Sequence, residues 1–525
     1  MRQEMSIMSR LCSLLVLVFL FGGLFAQNQP AKMTEKFFPD PAFKIETPGN
    51  LKPFELGLCT YGEMMDFLQA KTKDNLSKVR LDIIGKTPNG ADIPILYFGD
   101  GKNPKKLKIW MQGGIHGNEP GGTEALFMLI NHLLGTPEGS LLLKKMDIAI
   151  LPVANVDGYI AQKRTSAAGF DLNRDQTKFS DPVSLVIKRA FILWNPEASF
   201  DFHEYTPLQK KGTEGILNGN SAAYYDILFL PSGNLNVPQG LLKMSTDLFE
   251  ANAEKALDEK GYSHNFYFTP GVRPEGVVLA KGGNNPRSSS TNYALSNSIS
   301  ILVEIRGIGL GRTSFARRTY CGFLVANSFL ETASNNLSSV KKAVKKAVKE
   351  TFKRKNDIAV TADEALVNYP VKFIDTVSNE VVTLDMKVYD ALLPIATLTR
   401  KRPSAYILTP DCTKEVEMLK ILGVAVEKID KPLILPVEAY TISKYEADKV
   451  KWEGIFPVTV QSAITPVVKT FPAGSFIVKL NQKNANYAVI LLEPESENGF
   501  VNSAVTKTAK GWELPFYRVE KSKLP

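Results

Sequence analysis

Between Leu107 and Glu304 short apolar runs of strand length alternate with longer stretches of helical period, and each apolar run gives way to a polar or glycine-rich segment. Leu107 to Met111 reads as a buried strand that stops at Gly113-Gly114, Gly121 to Leu134 as a helix, and Met146 to Val153 as the next strand. A helix over Val183 to Leu193, a strand ending at Phe200 to Phe202, a helix over Leu241 to Lys260 and a strand over Ser298 to Glu304 continue the series. This alternation predicts an α/β chain whose mixed, mainly parallel sheet is flanked by helices, because parallel strands need crossover connections that cover both faces. Ligands of such sheets bind beyond the carboxyl ends of the strands, so chemistry is to be sought where the apolar runs stop.

The flanks differ in character. Gln27 to Pro53 reads as extended, Tyr61 to Leu76 as a helix, and Val79 to Ile84 with Ile93 to Phe98 as two strands about a turn at Pro88-Asn89-Gly90. Ser338 to Lys355 gathers part of the net charge of +9. Its valines and alanines recur between lysines at helical spacing, which predicts a solvated amphipathic helix and not a nucleic-acid partner. From Asp357 onward the segments Val381 to Val388, Ala405 to Leu408, Ile434 to Ile442, Val458 to Ile464, Ser475 to Leu480 and Ala488 to Leu492 read as strands, with one helix over Thr413 to Leu422. A chain of 525 residues exceeds what one core needs. The expected division is a leader over 1–26, an α/β catalytic domain over 27–356 and a β-rich accessory domain over 357–525.

Arg2 and Arg10 precede an apolar run from Leu11 to Phe25, and Ala26 stands before polar Gln27. The run is short for a spanning helix of roughly 20 residues. The pattern predicts a cleaved signal peptide, a secreted or periplasmic mature chain and no stable membrane anchor. Cleavage leaves Cys59, Cys321 and Cys412, an odd number that cannot all pair within one chain, and no CxxC pair offers a thiolate metal site.

Four polar motifs sit just after the apolar runs. In Gly114-Ile115-His116-Gly117-Asn118-Glu119-Pro120-Gly121 an imidazole and a carboxylate, both good zinc donors, are separated by two residues on a glycine-flanked loop. Pro120 suits the first turn of the next helix. A hydrolytic zinc ion usually takes three protein ligands, and the chain has only four histidines. His132 lies inside a helix, and His264 lies in a loop with no acidic neighbour in sequence. His203 follows Phe200-Asp201-Phe202 at the sheet edge where His116 belongs, so it is favoured over His264, with Asp201 or Glu204 available to orient its ring. Asn155-Val156-Asp157-Gly158, Arg164 and Asp171-Leu172-Asn173-Arg174 form the third motif. An arginine fork beside an asparagine can hold a carboxylate, although an ordinary surface salt bridge would use the same residues. Glu304 ends the last apolar strand before Ile305-Arg306-Gly307. A carboxyl so close to an apolar core has a raised pKa that suits a general base, unless it is only the buried partner of Arg306.

Taken together, HGNE at His116 to Glu119, NVDG at Asn155 to Gly158, DLNRD at Asp171 to Asp175, His203 in DFHEY and Glu304 in VEIRG resemble the zinc metallocarboxypeptidases of the carboxypeptidase A type over about Tyr61 to Ala333. The resemblance implies one zinc ion on His116, Glu119 and His203, Glu304 as general base, Arg164 on the scissile carbonyl, and Asn173 with Arg174 on the terminal carboxylate of a peptide substrate. Cell-wall peptides are plausible substrates of an exported enzyme. Val156 replaces the usual proline, and Asp175 replaces the usual asparagine and adds negative charge beside the carboxylate anchor. The covering tyrosine of the family has no evident counterpart; Tyr293 matches a different position, and Arg287, Ser289 and Ser290 fall in the region that often lines the pocket. The alternatives are a zinc deacylase of the aspartoacylase or succinylglutamate desuccinylase type, and a non-catalytic binding relative.

Overall fold

The computed structural model describes residues 29–208, 214–354 and 356–520; the leader expected over 1–26 lies outside the described residues. The hairpin at Asn89-Gly90 joins β1 (Arg80–Lys86) to β2 (Asp92–Phe98), and Gly90 takes a φ of 86°, a region open to glycine at little cost. There follow β3 (Leu107–Gly113), β4 (Met146–Leu151), β5 (Ala198–Tyr205), β6 (Ser221–Ala223), β7 (Ile227–Pro231), β8 (His264–Phe266), β9 (Phe268–Arg273), β10 (Gly276–Lys281) and β11 (Ile299–Arg306). Eight of them form one sheet in the order β1-β2-β4-β3-β5-β11-β7-β8. Its centre, β4-β3-β5-β11, is parallel, while β1–β2, β2–β4 and β11–β7 are antiparallel. The mixed, mainly parallel α/β sheet expected from the alternation is therefore present.

Register decides which helices cover which face. The helices include α1 (Tyr61–Lys73), α2 (Pro120–Gly135), α3 (Val156–Ala161), α4 (Pro182–Trp194), α5 (Ser289–Leu295), α6 (Phe315–Asn335) and α7 (Leu337–Lys353). Trp110 of β3 lies beside Ser199 of β5 and packs its ring against Phe191 of α4. Phe200, one residue further on, points to the opposite face and stacks on Phe329 of α6. By the same period of two, Gln112, Asp201, His203 and Glu304 share the α4 face, because Gln112 pairs with Asp201 and His203 with Glu304. Every residue of β5 and β11 is buried, as a central parallel strand requires.

The C-terminal region is β-rich and joined to the rest by strand pairing. A long hairpin of β12 (Ile358–Asp375) and β13 (Glu380–Arg400) extends a second sheet, β6-β12-β13-β10-β9. Beyond it β14 (Ala405–Leu408), β15 (Glu427–Lys428), β16 (Leu433–Ala447), β17 (Val458–Phe471), β18 (Phe476–Lys479) and β19 (Glu513–Val519) form a third, with helices α8 (Thr413–Ile421) and α9 (Ala485–Leu492).

Two of these segment expectations fail. Ala488 to Leu492 belongs to α9 and not to a strand; all eight residues of this helix are buried, so the apolar run carries no period to distinguish the two. The stretch expected to be extended before Pro53 contains two short helices, Ala31–Phe37 and Pro48–Leu51. The helix expected over Leu241 to Lys260 is present and passes through a π turn at Ser245–Glu250. The lysine-rich α7 buries Val340, Val344 and Ala347 and turns its lysines outward, as an amphipathic helix should. Among the described residues no single helix is long and apolar enough to cross a membrane.

Candidate metal centre and substrate cleft

The loop that leaves β3 is shaped by its glycines. Gly114 adopts a φ of 58°, and a Cβ on Gly117 would lie 1.9 Å from the carbonyl carbon of Gly158. The HGNE loop therefore rests directly on the first turn of α3, where Asn155 accepts a hydrogen bond from the Gly158 N–H at 3.0 Å. Pro120 opens α2 at its first position. Glu119 is the N-cap residue of that helix, yet its carboxylate makes no capping bond and turns instead toward two histidines.

His116, Glu119 and His203 meet at one point, with ligand atoms all within 4.8 Å of one another and all three side chains buried. His116 Nδ1 stands 2.7 Å from Glu119 Oε1, His203 Nδ1 stands 3.0 Å from Glu119 Oε2, and the two Nδ1 atoms are 3.2 Å apart. The outer nitrogens are each held by a carboxylate: His116 Nε2 by Asp171 Oδ1 at 3.1 Å, and His203 Nε2 by Asp201 Oδ2 at 3.0 Å. Asp201, two residues before His203 on the same strand face, thus orients the ring. Glu204 points the other way and pairs with Arg318 at 2.6 Å. His264 lies in β8 and not in a loop, with Glu254 at 3.2 Å and Asp258 at 3.1 Å, far from this cluster in the fold's order of strands.

This donor set fits a zinc ion. Two imidazoles and one carboxylate direct their inner atoms together, Glu119 Oε2 faces His203 Nδ1 at 3.0 Å without hydrogen-bond geometry, and each histidine is oriented from behind by a carboxylate. Burial pushes the Glu119 carboxyl up, but the adjacent His116 and His203 outweigh this and hold it far below the usual carboxylate range.

The other expected residues surround the same cleft. Burial alone would raise the Asp171 carboxyl, yet His116 and Arg164 hold it well below its ordinary value. Arg164 donates to Asp171 Oδ2 from Nε at 3.0 Å and from Nη2 at 2.8 Å, while its Nη1 lies 3.7 Å from Glu119. Glu304 sits opposite His203 in the β5–β11 register, 8% exposed, with Oε2 unpartnered among the described residues. Burial pushes its carboxyl up to about 7, against the opposing pull of His203. Arg306 does not pair with it; the guanidinium donates to Gln29 Oε1 at 2.6 Å and to the Ala223 carbonyl. Asn173 is fixed by the Ser289 N–H at 2.7 Å, and Arg174 lines the cleft beside it. The extra charge of Asp175 is turned away from that anchor, since its carboxylate accepts from the Ser180 and Asp181 N–H groups at 2.9 Å each. Tyr293 is outside the cleft, buried against Phe191 and donating to Gln112 at 2.6 Å.

Two cleft residues escaped the sequence reading in this role. Asp171 holds a histidine and an arginine at once, and the first letter of DLNR was its only signal. Tyr267 lines the cleft with Glu304 and Arg174, and nothing in the aromatic run Phe266 to Phe268 marked it out.

The family model described as zinc carboxypeptidase matches residues 64–203. Carboxypeptidase 2 of Trichophyton tonsurans is 30% identical over 458 residues, covering 83% of this chain and 82% of its own length. The chain belongs to the zinc carboxypeptidase family. Carboxypeptidase 2 of Trichophyton rubrum is similar to the same degree, 30% identical over 450 residues. Among solved structures, carboxypeptidase A from Helicoverpa armigera is 20% identical with a TM-score of 0.41, over 53% of this chain and 74% of that one. This zinc carboxypeptidase is a hydrolase with peptide substrates, and zinc is its metal.

Proposed function

We propose that the chain is an exported metallocarboxypeptidase that removes C-terminal residues from peptides, with His116, Glu119 and His203 holding the zinc ion. The observation that carries this reading is the convergence of those three side chains directly beside Glu304, which strand register brings across from His203. When bound, zinc supplies Lewis-acid polarisation of a carbonyl and lowers the pKa of a water.

The protein groups account for the remaining chemistry. Glu304, raised to about 7, can take a proton near neutral pH and return it to the leaving amine. Arg164 is held by Asp171 with one guanidinium nitrogen still directed at the centre, where it can stabilise a developing oxyanion. Asn173 and the Arg174 fork are suited to a terminal carboxylate, which fixes the distance from the chain end to the cleaved bond. Glu304→Gln is expected to retain metal and lower turnover by about 10²- to 10⁴-fold. Near-normal turnover in that variant would remove Glu304 from its role. Peptides with free C-termini should be cleaved while C-terminally amidated ones and N-acyl amino acids are not; the reverse preference would favour a deacylase. Cell-wall peptides belong in the same panel, as the substrates an exported enzyme would meet.

A further inference from the structure

The tip of the β16–β17 hairpin, from the C-terminal region, comes down beside the catalytic cleft. Trp452 and Ile455 pair across the turn, and Gly454 approaches Phe170. Lys178 donates to the Glu453 carbonyl at 3.0 Å, which ties the tip to the segment just after the carboxylate anchor. The guanidinium of Arg287 lies over the Trp452 ring, 3.8 Å from ring centroid to Cζ. Arg174 and Arg287 line both the catalytic cleft and the adjoining cavity under the hairpin, so the two spaces meet at these two side chains.

Arg287 is held without being paired. Among the described residues its guanidinium makes no hydrogen bond and no ion pair, although it is half-buried. Glu497 lines the adjoining cavity and attracts Arg287 without forming an ion pair with it; with the Asn285 amide oriented nitrogen toward Glu497, that amide donates to the two carboxylate oxygens at 2.8 and 2.6 Å. Asp448 and Glu497 are the carboxylates lining that cavity, set against Arg174, Lys178 and Arg287. Burial, and next the neighbouring Arg174, push the Arg287 guanidinium down to about 10 against the weaker opposing pull of Glu497, Glu453 and Asp171. Two arginines facing one cavity, one of them with five unused donors, are stabilised by two anionic groups and not by one.

We infer that Arg287, fixed by the Trp452 platform, is a specificity-determining residue that takes an acidic side chain on the substrate's C-terminal residue. Arg174 and Asn173 engage the α-carboxylate and Arg287 the side-chain carboxylate, so a terminal glutamate or aspartate satisfies both guanidiniums together. Trp452 is a positioning residue, acting through Arg287. The inference rests on the carboxypeptidase reading above.

The test is kcat/KM for four blocked dipeptides that differ only in a terminal Glu, Gln, Leu or Lys. The intact enzyme should prefer Glu to Gln by about tenfold or more, since a site built for one charge-assisted bond rejects the analogue lacking it. Arg287→Gln should bring that ratio near one. Trp452→Ala should lower the ratio through KM of the Glu peptide with little change in kcat, and Trp452→Phe should restore it. If Arg287→Gln fails to fold, the wild-type ratio still decides. A wild-type ratio near one, or a ratio unchanged in folded Arg287→Gln, overturns the inference and leaves the peptidase reading standing. Hydrolysis of none of the four peptides overturns both.

Discussion

Asp171 is the residue on which the centre's geometry turns. One oxygen holds His116 Nε2 and the other holds the Arg164 fork, so a single carboxylate sets both a proposed metal ligand and the group expected at the oxyanion. Asp171→Asn keeps the shape but offers one acceptor fewer, and zinc affinity should fall by about 10- to 100-fold. Competition against a chromogenic chelator measures this; unchanged affinity would mean that the His116 ring is held by packing alone. Asp201→Asn should act in the same direction through His203. The three candidate ligands are legible in the sequence because zinc chemistry restricts residue types and the chain has few histidines. Asp171, Tyr267 and the pairing of Arg287 with Trp452 were not, because each contact depends on the path of a loop or on a segment over a hundred residues away.

At the level of elements, the cleft is built by register and by close backbone approach. β3, β5 and β11 run parallel, and their matched pairing carries Glu304 to His203 and Gln112 to Asp201. The apolar runs announced these strands, since buried parallel strands carry few polar residues. They could not announce where β5 ends, and His203 lies within that strand instead of after it. Helix α9 replaces the expected strand for the related reason that burial on every side erases period. Gly117 is the tightest joint, and Gly117→Ala should cost about 1–3 kcal/mol by forcing the HGNE loop off α3, read as a lower urea midpoint together with weaker zinc binding. A second joint is Glu124 of α2, a buried carboxyl that accepts from Thr47 and from the Gly49 N–H at 3.1 Å. Burial raises it from 4.5 to about 7. A carboxyl raised on folding binds its proton more tightly in the folded chain, so its contribution is complete below the ordinary value and lost as pH rises through about 7. Relative to Glu124→Gln, the natural chain should lose roughly 3 kcal/mol between pH 4.5 and 7.5 in urea titrations. Parallel pH profiles for the two proteins would contradict this.

Across the whole molecule one hydrophobic cluster contains Trp110, Phe200 and Phe329 together with Tyr406, Tyr487 and Val489. Tyr487 of α9 donates to the Asn292 carbonyl at 2.6 Å, and Asn292 in turn accepts from the buried Lys188 at 2.6 Å. Composition alone suggested a division near 357, because it records the change to strand-rich sequence and not the packing that crosses it. The expected consequence is that the chain unfolds in one transition, with tryptophan fluorescence and circular dichroism coincident, and that a chain ended at 356 does not fold. Two separate transitions, or a soluble active fragment, would contradict a shared core. The proposed zinc centre is more local, with three side chains brought together by this fold holding one ion beside Glu304. Anomalous scattering at the zinc edge from crystals of the natural protein tests it most directly. A single peak is expected about 2.0–2.2 Å from His116 Nδ1, His203 Nδ1 and a Glu119 oxygen. A peak bound by other residues, or none in a protein that cleaves C-terminal residues, would contradict it.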